Sequence, residues 1–152
     1  MANAQQVTIL VVDDDEGHTE LVRRNFRRAG ISNPIRSLTS GGEALDYVFC
    51  RGAHADRKGD GELLVLLDIK MPGSHDGVEV LRQIKSSRQT KSIPVIMLTT
   101  TDDPREINRC YELGCNVYIT KPVAPGAFIE AINRVGLLIS VMSVPTDPSR
   151  QA

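Results

Sequence analysis

Five aliphatic residues in succession, Leu63–Leu67, followed by Asp68, constrain this chain more than any other feature. A strand with one wet face alternates apolar and polar side chains, so an unbroken run reads as a strand buried on both faces, as in a parallel sheet covered by helices. Residues 7–12, 95–98 and 117–119 are similar runs, ending at Asp13-Asp14-Asp15, at Thr99, and at Thr120 and Lys121. Ile35–Leu38, after the Asn33-Pro34 turn, supplies a further strand. Helical spacing fills the gaps: Leu21, Val22, Phe26 and Ala29 up to Gly30, then Ala44, Leu45, Val48 and Phe49 behind a Ser40/Glu43 capping box. Val78, Leu81 and Ile84 mark a third helix beginning near Gly77, and Asp103, Pro104 and Glu106 open a fourth that closes at Gly114. Phe128, Ile132, Val135, Ile139 and Met142 form the stripe of a fifth. Five strand and helix units in alternation specify an α/β fold with an open parallel sheet and helices on both faces. In such folds ligands bind beyond the carboxyl ends of the strands.

At 152 residues the chain is expected to form one domain over 1–144, with an extended fifth helix and a disordered tail at 145–152. Eighteen Lys and Arg against nineteen Asp and Glu give a net charge of −1, which removes the broad basic character of a chain whose main ligand is nucleic acid. A composition 41% hydrophobic and 24% charged excludes a disordered chain. No apolar stretch reaches the ~18 residues of a membrane span, and residues 1–6 lack the features of a signal peptide, so a cytoplasmic location is expected. Cys50, Cys110 and Cys115 match neither a redox pair nor a zinc pair and read as reduced, buried thiols. Residues 51–61 are polar and longer than an ordinary connection, hence a surface insertion.

The polar residues gather at the strand ends: Asp13 and Asp14, then Asp68, Thr99 and Lys121. Carboxylates brought to one sheet edge raise one another's pKa unless a cation neutralises them. Oxygen donors completed by water suit Mg²⁺, whereas zinc favours His or Cys. His18, His54 and His75 show no ligand spacing and read as solvated surface residues. Asp68, between the acidic pair and Lys121, is placed to attack phosphorus and form an acyl phosphate. The metal, Lys121 and the Thr99 hydroxyl then supply the positioning and charge that phosphoryl transfer requires. Alone, Asp14 is an ordinary turn carboxylate and Lys121 an ordinary surface lysine; the coincidence of strand ends carries the reading.

The motifs VVDDDE, LLDIKMPG with a following DG, IMLTT and YITKP, in this order over about 7–140, resemble the receiver domain of two-component response regulators. The resemblance implies a flavodoxin-like (βα)5 fold with strand order 2-1-3-4-5. It implies that Asp68 accepts a phosphoryl group from a sensor histidine kinase or a phosphotransfer protein, and that Asp13, Asp14 and the backbone carbonyl of Lys70 help hold Mg²⁺. Thr99 would be the switch hydroxyl, Lys121 the phosphoryl-contacting lysine, Tyr118 the aromatic whose rotamer reports activation, and Lys121-Pro122 a cis bond. Such a chain is a signalling receiver rather than an enzyme. The 51–61 insertion, the LTTT sequence at 98–101 and the long fifth helix resemble the stand-alone regulators of phytochrome-like histidine kinases. The loop at 72–77 is one residue longer than the usual form, and Lys70 adds a cation whose simplest reading is solvent exposure.

With only a short tail after Val144, no DNA-binding or catalytic output domain is expected, and output falls to the surface of helix four, strand five and helix five. Leu137, Leu138, Val141 and Val144 lie off the fifth-helix stripe. That surplus points to a homodimer through this region, against the alternative that the helix breaks near Gly136. Two other functions compete: an interaction module independent of phosphorylation, and an Asp-nucleophile phosphatase. Asp13 and Asp15 mimic the phosphatase acids, but Gly17 stands where a Thr or Val belongs.

Overall fold

The computed structural model describes residues 7–57, 62–121 and 125–141. Its elements, in chain order, are β1 (Thr8–Val12), α1 (Glu16–Arg28), β2 (Ile35–Leu38), α2 (Gly41–Val48), β3 (Leu63–Leu67), α3 (Gly77–Ser86), β4 (Val95–Thr99), α4 (Pro104–Leu113), β5 (Val117–Thr120) and α5 (Pro125–Val141). The strands pair in the order β2-β1-β3-β4-β5, every pair parallel, as the doubly wound reading requires. The unbroken run Leu63–Leu67 is the central strand, and all five of its residues are buried.

Alternation along each strand divides the core into two layers. Leu10, Val12, Val65, Leu67 and Met97 face α2, α3 and the Cys110 side of α4. Ile9, Val11, Leu64, Leu66, Ile96 and Leu98 face Val22 and Phe26 of α1 and Ile132 and Val135 of α5. At ~25 cal/mol per Å² of apolar surface, burial on both faces makes this sheet the main source of stability.

Short polar side chains set where helices begin. Asp15 accepts the N–H groups of Gly17 and His18, Asp76 that of Glu79, and Asp103 that of Arg105. Ser40 accepts the Glu43 N–H at 3.1 Å, but the Glu43 carboxylate reaches back to the N–H of Thr39, one residue earlier than a strict capping box. Gly114, with φ at 107°, ends α4 in the left-handed region open to glycine.

Helix α5 continues through Gly136, so the alternative of a break there falls; that residue is a packing site. A β-carbon there would lie 3.3 Å from Cδ1 of Ile31 and 3.8 Å from Cδ1 of Phe26. The insertion begins as packed structure, with a single 3-10 turn at Gly52–His54. The Arg57 guanidinium stacks 4.5 Å from the Tyr47 ring centre while its Nε donates to the Tyr47 carbonyl at 2.8 Å. The His54 ring meets Tyr47 edge-on at 5.0 Å, so His54 is a packing residue and not simply a solvated one. The rest of the insertion, the Lys121-Pro122 bond and the tail at 145–152 lie outside the described residues.

Candidate functional site

Parallel register brings four strand ends to one edge. The ladder runs one residue past each strand: the Asp13 N–H donates to the Leu38 carbonyl at 3.0 Å and the Asp68 N–H to that of Val12 at 3.0 Å. The Lys121 N–H donates to the Thr99 carbonyl at 2.6 Å. Backbone bonding, not side-chain chance, therefore aims Asp13, Asp68 and Lys121 into a common space at the carboxyl ends of β1 and β3, where the chain leaves the two strands for helices on opposite faces of the sheet.

Lys121 occupies the middle of this space with a side chain only 2% exposed. Its ammonium donates to Asp13 Oδ2 at 2.5 Å and to Asp68 Oδ2 at 3.2 Å, and lies 3.0 Å from His18 Nδ1. A buried ammonium carries a large desolvation cost, which these partners offset. The other carboxylate oxygens are oriented by the main chain: Asp13 Oδ1 accepts the Asp15 N–H at 2.9 Å and Asp68 Oδ1 the Ile69 N–H at 2.7 Å. Asp14 is exposed.

Asp13, Asp14 and Asp68 each offer an oxygen within 4.8 Å of the others. These carboxylates face one ammonium, which leaves an excess of negative charge around an all-oxygen donor set. That chemistry fits a hard divalent cation. Beside it runs a cleft of about 440 Å³ lined by Asp14, Ile69, Lys70, Met71, Pro72 and Asp76. The Lys70 side chain is exposed, as expected.

The second half of the loop at 72–77 is held at two points. The Gly77 N–H donates to the Ile69 carbonyl at 2.8 Å. Two residues earlier the carbonyl of His75 packs onto Gly41, where a β-carbon would come within 2.1 Å of it. Thus the longer loop seats the start of α2 as well as that of α3.

Thr99 is fully buried, and its Oγ1 lies 3.5 Å from the Thr101 N–H. The Tyr118 hydroxyl donates to the Thr101 carbonyl at 2.5 Å, so both residues meet the loop after β4 at the same point. Burial pushes the Tyr118 phenol up to about 12.

Residues 9–133 match the family of response regulator receiver domains. This chain is a member of that family. A receiver domain from Rhodospirillum rubrum is 47% identical and superposes with a TM-score of 0.83 over 91% of this chain and 97% of that one. The phosphorylated cyanobacterial phytochrome response regulator RcpA, 27% identical, gives 0.84 over 93% and 99%. Response regulator Rcp1 of Synechocystis sp. is 33% identical over 113 residues, covering 74% of this chain and 75% of the relative. Its Mn(2+)-bound crystal structure superposes with a TM-score of 0.83, at 27% identity, over 92% and 99%.

In this receiver, Asp13, Asp14, Asp68 and Lys121 stand together, while Thr99 and Tyr118 are linked through Thr101. Sequence reasoning missed two contributors. His18, expected in solvent, instead reaches Lys121 from the first turn of α1. Its signal was positional: Asp15 caps that turn, and three residues on a helix return a side chain to the capped end. Tyr111 of α4, whose hydroxyl accepts the Tyr118 N–H at 3.0 Å, had no signal beyond being an aromatic on a polar helix.

Proposed function

We propose that this receiver accepts a phosphoryl group on Asp68 from the phosphohistidine of a sensor histidine kinase or a phosphotransfer protein. A carboxylate oxygen of Asp68 forms the bond to phosphorus as the phosphorus–nitrogen bond of the donor breaks. The electron pair stays on the imidazole nitrogen, which takes up a proton. The observation that carries this reading is the buried Lys121 ammonium 3.2 Å from Asp68 Oδ2, a fixed charge beside the nucleophile that can receive a phosphoryl oxygen. Asp13, Asp14, Asp68 and the Lys70 carbonyl are the residues that would hold Mg²⁺, and the manganese form of Rcp1 supports a divalent ion there. Bound, the ion supplies positive charge against which the phosphoryl oxygens are neutralised.

Thr99 and Tyr118 carry the event outward: the hydroxyl turns toward the phosphoryl group, the loop after β4 follows, and Tyr118 repacks. The responding surface is α4, β5 and α5, which also serves a homodimer. Tyr111 on α4, 48% exposed, and Leu137 on α5, 68% exposed, support that assignment. The likeness to RcpA favours a phytochrome-like kinase as donor, and membership in the receiver family is consistent with a cytoplasmic setting. Among the described residues no helix is long and apolar enough to cross a membrane.

The test is labelling with acetyl phosphate and Mg²⁺, read by intact-protein mass spectrometry. Wild type gains one phosphoryl group and Asp68→Asn gains none. Equal labelling of the two would refute the assignment.

A further inference from the structure

We propose that His18 is a positioning residue for Lys121, holding the ammonium so that one of its N–H bonds stays aimed at the Asp68 carboxylate. An ammonium has three donors and no acceptor. Here the three acceptors within reach are Asp13 Oδ2, Asp68 Oδ2 and His18 Nδ1, at 2.5, 3.2 and 3.0 Å. With the lysine side chain 2% exposed, water is a poor substitute for any of them. Because the ammonium cannot accept, Nδ1 must, which places the ring proton on Nε2. That nitrogen faces Asp15 Oδ2 at 3.5 Å, and the main-chain N–H of His18 donates to Asp15 Oδ1 at 3.2 Å. The ring thus lies between the Lys121 ammonium on one side and the Asp15 carboxylate on the other. His18 Nδ1 and Asp13 Oδ2 are 3.6 Å apart, so they converge on the lysine and not on each other.

The consequence concerns the moment of transfer. When Asp68 takes a phosphoryl group, its own contact with Lys121 is remade, while Asp13 and His18 remain. Two fixed acceptors define the direction of the third N–H; Asp13 alone leaves the ammonium free to rotate about a single contact. The inference rests on Lys121 meeting the incoming phosphoryl group, as proposed above.

Asparagine places an amide oxygen close to where histidine places Nδ1, whereas leucine fills the space with no acceptor. Labelling of the full chain by acetyl phosphate at saturating Mg²⁺ is expected to be about tenfold slower in His18→Leu, the scale of one hydrogen bond to a charged group. His18→Asn is expected to return to within about threefold of wild type. In parallel, the Lys121 ammonium protons are followed by nuclear magnetic resonance. Their signal is expected in wild type and His18→Asn and lost in His18→Leu through faster exchange with water. A wild-type labelling rate in His18→Leu, or an undiminished Lys121 signal there, overturns the proposal. If the wild type itself fails to label, the phosphoacceptor reading of Asp68 falls. The Lys121 signal then still decides the role of His18: loss in His18→Leu supports it and persistence refutes it.

Discussion

Gly77 lies against the main-chain carbonyl of Asp68 so closely that a β-carbon would stand 2.0 Å from that oxygen and 2.7 Å from Cα of Ile69. The first residue of α3 is thus packed directly onto the backbone of the proposed phosphoacceptor, and only a residue without a side chain permits the approach. Gly77→Ala must push the two segments apart. The expected cost is roughly 1–3 kcal/mol, measured by urea denaturation, with slower labelling of Asp68 as its carboxylate moves. An unchanged denaturation midpoint would show that the contact relaxes freely.

Asp14 is the exposed member of the acidic group, and its removal leaves the Lys121–Asp13 pair in place. Asp14→Ala is therefore expected to fold normally and to bind Mg²⁺ about tenfold or more weakly, since affinity follows the charge of the ligand set. Isothermal titration calorimetry checks this. An unaltered affinity would place the ion elsewhere.

Burial raises the Cys110 and Cys115 thiols to about 11 from 9.0, and Tyr118 to about 12 from 10.0. All three are neutral in the folded chain near pH 7. As pH climbs, the unfolded chain loses these protons first, so the folded state binds more of them and stability declines. Their contribution is expected to be level below pH 9 and to fall between about 9 and 12. Denaturation midpoints across that range are the readout, and a flat profile would contradict the assigned burial.

Thr99→Ala removes the proposed switch hydroxyl without touching Asp68 or Lys121. It is expected to take up label while losing the wild-type resonance shifts in α4 and β5 that a beryllofluoride phosphoryl mimic induces. Shifts equal to those of wild type would transfer the switch role to another group.

The proposed dimer predicts that the full chain sediments as a dimer at micromolar concentration. Leu137→Glu, at an exposed apolar position of α5, is expected to yield a folded monomer. Sedimentation velocity and far-ultraviolet circular dichroism together separate dissociation from unfolding. A wild type that stays monomeric at hundreds of micromolar would remove the interface.

The strands were legible because runs such as Leu63–Leu67 have no polar member to face water. Asp13, Asp68, Thr99 and Lys121 were legible for a related reason: each closes such a run, and parallel pairing gathers strand ends by construction. His18 was not, since its contact with Lys121 joins positions 103 residues apart and depends on how α1 tilts over the sheet edge. Nor was the Arg57–Tyr47 stack, where a polar stretch packs through a guanidinium and not through apolar periodicity. Gly136 left a helix break open as an alternative because a glycine at a helix crossing and a glycine at a helix break look alike in one dimension.

β5 is the outermost strand on its side of the sheet, and such a strand carries main-chain donors that no neighbour claims. One of these, the N–H of Tyr118, is sealed by the Tyr111 hydroxyl reaching down from α4. Resistance to stray strand pairing is therefore delegated to the posture of a helix. Each excursion of α4 that lifts Tyr111 away unmasks a template for an extended peptide, which ties the solubility of this protein to the same element proposed to carry its signal.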